Sequence, residues 1–233
     1  MTLISRLICI FAVLLMLAFG LFFMSRAPNF QLCGTLVSHG PRDMPGVALT
    51  LDDGPTPGFT VQTLELLAER DVPATFFLTG QAAERHPDTV KLIADAGHEI
   101  GNHSYSHRRM VLKSSNFVTD ELDRTDAALR AAGYDGPLHF RPPYGKKLFV
   151  LPWILSRQDR LSVTWDVDGD GDRSINEDAQ AIAEHVIAST QNGSIILLHV
   201  MFSSREALPL IIDGLRAQGM EFMTVSELLK PAQ

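Results

Sequence analysis

The stretch Val47-Ala48-Leu49-Thr50-Leu51-Asp52-Asp53-Gly54-Pro55 decides the fold. A short β-prone run, apolar on both faces, ends at two carboxylates and a Gly-Pro turn. A strand without polar alternation suits a parallel sheet, with helices on one side and a packed interior on the other. Similar runs follow at 74–79, 98–102, 138–141, 162–166, 194–199 and 221–224, between helical patterns near 60–70, 86–96, 117–132, 147–158, 177–189 and 204–218. Several helices stop at glycine, as at Gly97, Gly133, Gly193 and Gly219, where a positive φ is wanted. Seven such units in about 180 residues predict an α/β fold: a small, distorted parallel (β/α) barrel of about seven strands with right-handed crossovers.

The reactive residues cluster where these strands end. Asp52-Asp53 follows the first strand, His103-Ser104-Tyr105-Ser106-His107 the third, and Arg141-Pro142-Pro143-Tyr144-Gly145 the fourth. Trp165-Asp166-Val167-Asp168 ends the fifth, and Leu197-Leu198-His199 the sixth. In a parallel barrel all of these lie on the C-terminal rim, where such folds build their sites. Two imidazoles and one carboxylate suit a divalent metal, with His103 and His107 close enough in sequence for one tight loop to aim both at one ion. One aspartate of the pair would complete that shell and leave the other free as a base. Alone, two histidines four apart are usually unrelated surface residues, and Asp-Asp-Gly-Pro is usually a turn. Their joint placement at strand ends reverses both readings.

These motifs resemble the polysaccharide deacetylases, carbohydrate esterase family four, over residues 47–229. Thr50-Leu51-Asp52-Asp53-Gly54-Pro55 is similar to the first family motif, with Leu51 where Phe is usual; the His103–His107, Arg141–Gly145 and Leu197–His199 segments are similar to the second, third and fifth. The resemblance implies a hydrolase that removes N-acetyl groups from a chitin-like, peptidoglycan or exopolysaccharide polymer and releases acetate. It implies zinc on Asp53, His103 and His107, and Asp52 as base paired with Arg141. It also implies the Tyr144 backbone N–H as oxyanion donor and His199 as general acid. The fourth motif departs from the pattern, because no Trp follows any Asp between Asp166 and Arg173. Asp168, Asp170 and Asp172 are then alternatives for supporting His199, and spacing favours Asp170. The same segment, Asp166-x-Asp168-x-Asp170-Gly171 through Glu177, also meets the spacing of a calcium loop, although a strand precedes it and Arg173 occupies a normally apolar position. An acidic active-site loop is the first reading of residues 166–177, and Ca2+ binding the second.

Residues 7–24 form a run of eighteen without a charge, between Arg6 and Arg26. As a helix it spans about 27 Å, enough for a bilayer core. An uncleaved anchor is favoured over a cleaved signal, whose apolar stretch is usually shorter. Residues 1–24 are thus expected to be an anchor or signal, 25–45 a Pro- and Gly-bearing linker, and 46–233 the catalytic domain, exported to the periplasm or cell exterior. A net charge of −7 offers no basic footprint for nucleic acid and disfavours a strongly anionic polymer. Cys9 and Cys33 flank or lie within the apolar run and are expected to be unpaired. His39, His86, His98, His139 and His185 read as structural or surface residues, Trp165 as core or support, and Trp153 as packing or a sugar platform. The rival functions are hydrolysis of a small cyclic amide or imide on the same scaffold, a non-catalytic surface carbohydrate-binding module, and a non-haem iron site. The last would not need Asp52, Arg141 and His199 around its triad.

Overall fold

The computed structural model describes residues 3–43, 45–172 and 174–230. Arg173 of the acidic segment, and the outermost residues of the expected anchor and catalytic domain, lie outside them. The chain runs α1 (Leu3–Arg26), β1 (Leu36–Val37), β2 (Gly46–Asp52), α2 (Pro57–Glu69), β3 (Thr75–Leu78), α3 (Gly80–Arg85), α4 (Pro87–Asp95), β4 (Glu99–Asn102) and α5 (Ser115–Ala131). It continues through a 3-10 turn at Pro143–Gly145, α6 (Val150–Arg157), β5 (Ser162–Val163), β6 (Val167–Asp168), α7 (Ala179–Ser189), β7 (Ile195–His199), α8 (Phe202–Ala217), β8 (Glu221–Met223) and α9 (Val225–Leu228).

The named strands pair in parallel, in the order β4-β3-β2-β7-β6, with β8 against the start of β2. Phe140 bridges Asn102 on one side and Ser162 on the other, and β1 pairs with β5. An antiparallel bridge from His39 to Ser194 brings β1 back toward β7. The sheet therefore curls into the distorted parallel (β/α) barrel.

Side-chain parity explains the core. Val47, Leu49 and Leu51 point outward into the large cluster under the helices, with Phe76, Leu78, Ile196 and Leu198. Ala48, Phe77 and Ile195 point inward and pack with Val163, Val225 and Leu228. Gly101 leaves room for this interior, because a Cβ there would meet the Phe77 ring. Inward positions thus begin apolar and end polar: Thr50 and Asp52 continue the row of Ala48, and His199 that of Ile195.

Three expectations change. The strand expected at 138–141 shrinks to bridges at Phe140, because Pro137, Pro142 and Pro143 around it lack the N–H a ladder needs. The strand expected at 162–166 is cut to β5, which pairs with β1 and bridges Phe140, and β6 follows it at Val167–Asp168 against β7. The stretch expected as a linker contains β1, and its Arg42 binds Asn192 O and Asp166. α1 matches the expected apolar helix: 24 residues, long and apolar enough to cross a membrane, with no part of its most apolar window buried.

Candidate active site

Register brings the reactive side chains together. Asp52 ends β2 directly beside His199 at the end of β7, and both belong to inward rows. Asp53, the next residue, has φ 75°, which turns its carboxylate to the rim beside two histidines. His103 follows β4, and its N–H donates to Leu78 O. Ser104 and His107 also take positive φ, 63° and 55°, so a tight turn carries both histidines to one point. The turn is held from below: Asn102 Oδ1 accepts from Ser104 N, and Glu121 accepts from Ser106 N and Oγ.

Ligand atoms of Asp53, His103 and His107 lie within 4.8 Å of one another. His103 Nδ1 is 2.8 Å from Arg141 O. A carbonyl only accepts, so Nδ1 carries a proton and Nε2 is the nitrogen left to face Asp53, 3.5 Å away. His107 Nε2 lies 3.1 Å from the same Asp53 oxygen. Burial opposes ionisation of Asp53, but the hydrogen bond and charge of His103, with His107 and His199, outweigh it and hold its pKa at about 2. A divalent cation would take the place of those imidazolium charges, because two imidazoles that give up the Nε2 proton and a carboxylate facing one point are a donor set that fits it.

Arg141 is fully buried and stacked 4.0 Å over the Phe77 ring. Its Nη1 donates to Asp52 Oδ1 and to Thr50 Oγ1, both at 2.7 Å, and Nη2 donates to Thr164 O. Asp52, only 2% exposed, is thereby clamped through one oxygen, while Oδ2 faces His103 Nε2 at 3.5 Å. A buried carboxylate needs such a partner.

On the other side His199 Nδ1 donates to Asp170 Oδ1 at 2.7 Å, and His199 N to Asp170 Oδ2 at 2.7 Å. Ser204 Oγ completes the support of Asp170. Burial alone would push His199 down, but the hydrogen bond and charge of Asp170, with Asp52 and Asp53 beyond, raise its pKa to about 9. Asp170 answers in the opposite sense: burial works against its charge, yet His199 and Ser204 leave its pKa below the usual value. Of Asp168, Asp170 and Asp172, the three alternatives in the sequence, Asp170 is the one hydrogen-bonded to His199.

A cavity of about 230 Å³ joins these groups. Asp52, Asp53, His103, His107 and His199 line it, together with Tyr144, Trp165, Asp168 and Leu197. Tyr144 takes φ 59° and lays its half-exposed ring 4.7 Å from that of His107. In sequence Trp165 reads as core or support and Leu197 only as part of its motif; the signal for Leu197 is that it shares the inward row of Ile195 and His199. Thr50 and Ser204 were also passed over, since hydroxyls that hold a catalytic neighbour have no local signature.

The calcium reading of 166–177 is corrected. Asp166 is tied to Arg42, Ser194 Oγ and Ile195 N, Asp170 to His199, and Asp172 to Ser174. Each carboxylate serves its own partners, and among the described residues they form no cluster of metal-ligating groups. The other histidines keep structural roles: His98 accepts from Ala74 N, with its pKa lowered by burial to about 4, and His139 lies beside Ser226 and Glu99. A separate cavity of about 460 Å³ near Leu138 is bordered by Asp126 and Arg160, which neutralise each other.

A parallel barrel with a clamped carboxylate, a charged histidine and an Asp-His-His trio on its C-terminal rim is the layout of a hydrolase. Comparison with known proteins gives it a family. The family model for polysaccharide deacetylase matches residues 39–156. A peptidoglycan-N-acetylglucosamine deacetylase of Bacillus cereus is 37% identical over 201 residues, covering 83% of this chain and 72% of the relative. The peptidoglycan-N-acetylmuramic acid deacetylase PdaA of Bacillus subtilis is 32% identical, covering 78% and 71%. Among solved structures, the Bc1960 peptidoglycan N-acetylglucosamine deacetylase superposes with a TM-score of 0.80 at 33% identity, covering 84% of this chain and 94% of that one. BA3943, a CE4 family pseudoenzyme from Bacillus anthracis, superposes with a TM-score of 0.79 at 30% identity, covering 85% and 70%. The chain belongs to the polysaccharide deacetylase family.

Proposed function

We propose that this protein is a membrane-tethered N-deacetylase of the cell envelope, acting on an acetylated amino-sugar polymer of the peptidoglycan type. One observation carries the reading: a clamped base and a supported acid converge on the Asp53-His103-His107 trio in a single cavity. A family fold alone would not carry it, since a pseudoenzyme shares that fold. In this chain each role has a candidate side chain, and each is held by named partners.

Asp53, His103 and His107 would hold a divalent ion, with zinc best suited to two imidazoles and a carboxylate. When bound, the ion supplies Lewis acidity at the cavity floor. The chain's own groups do the rest. Asp52 takes the proton of the attacking water on Oδ2, the oxygen Arg141 leaves free. Arg141, fixed by Thr50 and Thr164, keeps that carboxylate oriented. The Tyr144 N–H serves the acetamide oxygen as negative charge develops, a donor worth about 3–4 kcal/mol. His199, charged at neutral pH, gives its Nε2 proton to the departing amine while Asp170 retains Nδ1–H. Trp165 and Leu197 offer apolar surface to the acetyl methyl and the sugar face. Acetate and a free amino sugar leave.

The apolar α1 and the cell-wall relatives support an exported domain tethered by that helix. Acetate release from acetylated peptidoglycan, chitin oligomers and an exopolysaccharide, with and without chelator, tests the function. Chelator-sensitive release from at least one polymer is expected. Release from none, or hydrolysis of a cyclic imide instead, would contradict it.

A further inference from the structure

The domain is fastened to the root of α1 rather than hung from a loose tether. Ser25 O accepts from Lys147 N, Ala27 O from Lys147 Nζ at 2.6 Å, and Pro28 O from the Thr164 hydroxyl. Lys147 and Thr164 are buried, so these contacts fix the direction in which the helix leaves the barrel.

Further up the helix a second contact appears. Ala18, Leu21 and Phe22 of α1 line a cavity of about 280 Å³ together with Val111, Leu112 and Leu148. Ala18 and Phe22 lie about 12 and 6 Å before Arg26 along the helix axis. The tip of the 108–113 loop therefore stands beside the apolar part of α1. That tip is Leu112, 85% exposed, with φ 54° turning it outward. Phe149 and Trp153, about half exposed, add apolar surface next to Leu148 along the chain.

Cations ring this tip. Arg26, Arg108 and Arg109 are exposed, and Lys113 and Lys146 partly so. Burial first, then the charges of Arg109 and Arg26, lower the pKa of Lys146, which marks these three as neighbours. Such a group is out of keeping with a chain of net charge −7. It is complementary to anionic headgroups, and its place beside the end of an apolar helix is where headgroups would lie.

We propose that the 108–113 loop is a second membrane contact, with Leu112 in the acyl region beside α1 and Arg108, Arg109 and Lys113 on anionic lipid. This rests on reading α1 as a membrane anchor. The consequence reaches the active site. His103 and His107 stand at the base of this loop, the Arg109 guanidinium lies 5.2 Å over the Tyr144 ring, and that ring lies 4.7 Å from His107. The cavity mouth is thereby held at the bilayer surface, and polymer next to the membrane is what reaches it.

The test places the full chain in phosphatidylcholine vesicles, with or without phosphatidylglycerol, whose acyl chains carry bromine. Leu112→Trp alters an exposed side chain, so the fold is retained. Its added fluorescence should be shifted to the blue and largely quenched, more so with phosphatidylglycerol. Leu210→Trp, partly exposed on α8, should add fluorescence that bromine leaves intact. Adding Arg108→Glu and Lys113→Glu to Leu112→Trp should weaken the quenching. A vesicle-bound Leu112→Trp chain with unquenched emission, or equal quenching at positions 112 and 210, overturns the inference and leaves the anchor standing. A chain that does not float with vesicles at all overturns both.

Discussion

Replacing Asp170 by asparagine removes the charge that holds His199 protonated and keeps a side chain of the same shape. The structure sets the size of the effect. His199 stands at about 9 against an ordinary 6.5, with Asp170 the main group raising it against burial. At about 1.4 kcal/mol per pH unit this is a preference for imidazolium of ~3 kcal/mol. Without Asp170 burial prevails, and the imidazole should titrate near or below 6.5. A general acid works only while protonated, so the alkaline limb of kcat/KM should move down by about two and a half pH units. At pH 8 the variant should be roughly thirty-fold slower from protonation alone. A cation in the same cavity would lower both limbs together, so the difference between the two proteins is the quantity to read. Stability should follow the same sign. The part that comes from the raised His199 is fully present below about 6.5 and is lost as pH rises through about 9, so the gap between wild type and variant should narrow over that window. Acetate release from an N-acetylglucosamine oligomer across pH 5–10 is the assay. An alkaline limb that stays in place in Asp170→Asn would refute the reasoning.

Three further outcomes are expected. Asp53→Ala, His103→Ala and His107→Ala should each lose bound metal together with activity, because removing one of three protein ligands leaves too few anchors; metal analysis of the purified variants checks this, and full occupancy in His107→Ala would contradict it. His199→Ala should slow release from the amino-sugar polymer by about 10²–10⁴-fold yet barely affect an activated aryl acetate, whose leaving group needs no proton; parallel assays of both substrates decide. A chain beginning at Gln31 should be soluble but less stable to urea than one beginning at Ser25, since it loses the Ser25, Ala27 and Pro28 carbonyls that accept from Lys147 N, Lys147 Nζ and the Thr164 hydroxyl; the bond to the Lys147 ammonium alone corresponds to about 1.5–3 kcal/mol, and equal midpoints would dismiss these contacts.

Much of the site was legible because parallel strands put unlike residues at like positions. Asp52 and His199 end short apolar runs, His103 follows the strand β4, and such strand ends share one rim. Asp170 was legible only as one of three aspartates, since the choice depends on how the chain leaves β6 to meet Ser204 and His199 N. The fold was plain where apolar runs were long, as in β2 and β7. It was obscured at 138–141, where prolines leave a single residue to bridge two neighbours, and at 162–166, where the strand stops at Val163 and the next begins at Val167 on a different partner. The two strand residues of β1 were hidden inside a Pro- and Gly-bearing stretch, because pairing so short depends on the partner rather than on local propensity. The clamp on Arg141 by Thr50 and Phe77 spans distant parts of the chain and has no local signature.

The central claim is that Asp52 acts as the base beside the Asp53-His103-His107 site. The most direct measurement compares acetate release by wild type and Asp52→Asn on one acetylated amino-sugar polymer, with bound metal determined in both. The asparagine can still accept from Arg141, so the site should stay assembled. The expected result is equal metal content with turnover reduced by at least about 10²-fold. Equal metal content with near wild-type turnover would contradict the account.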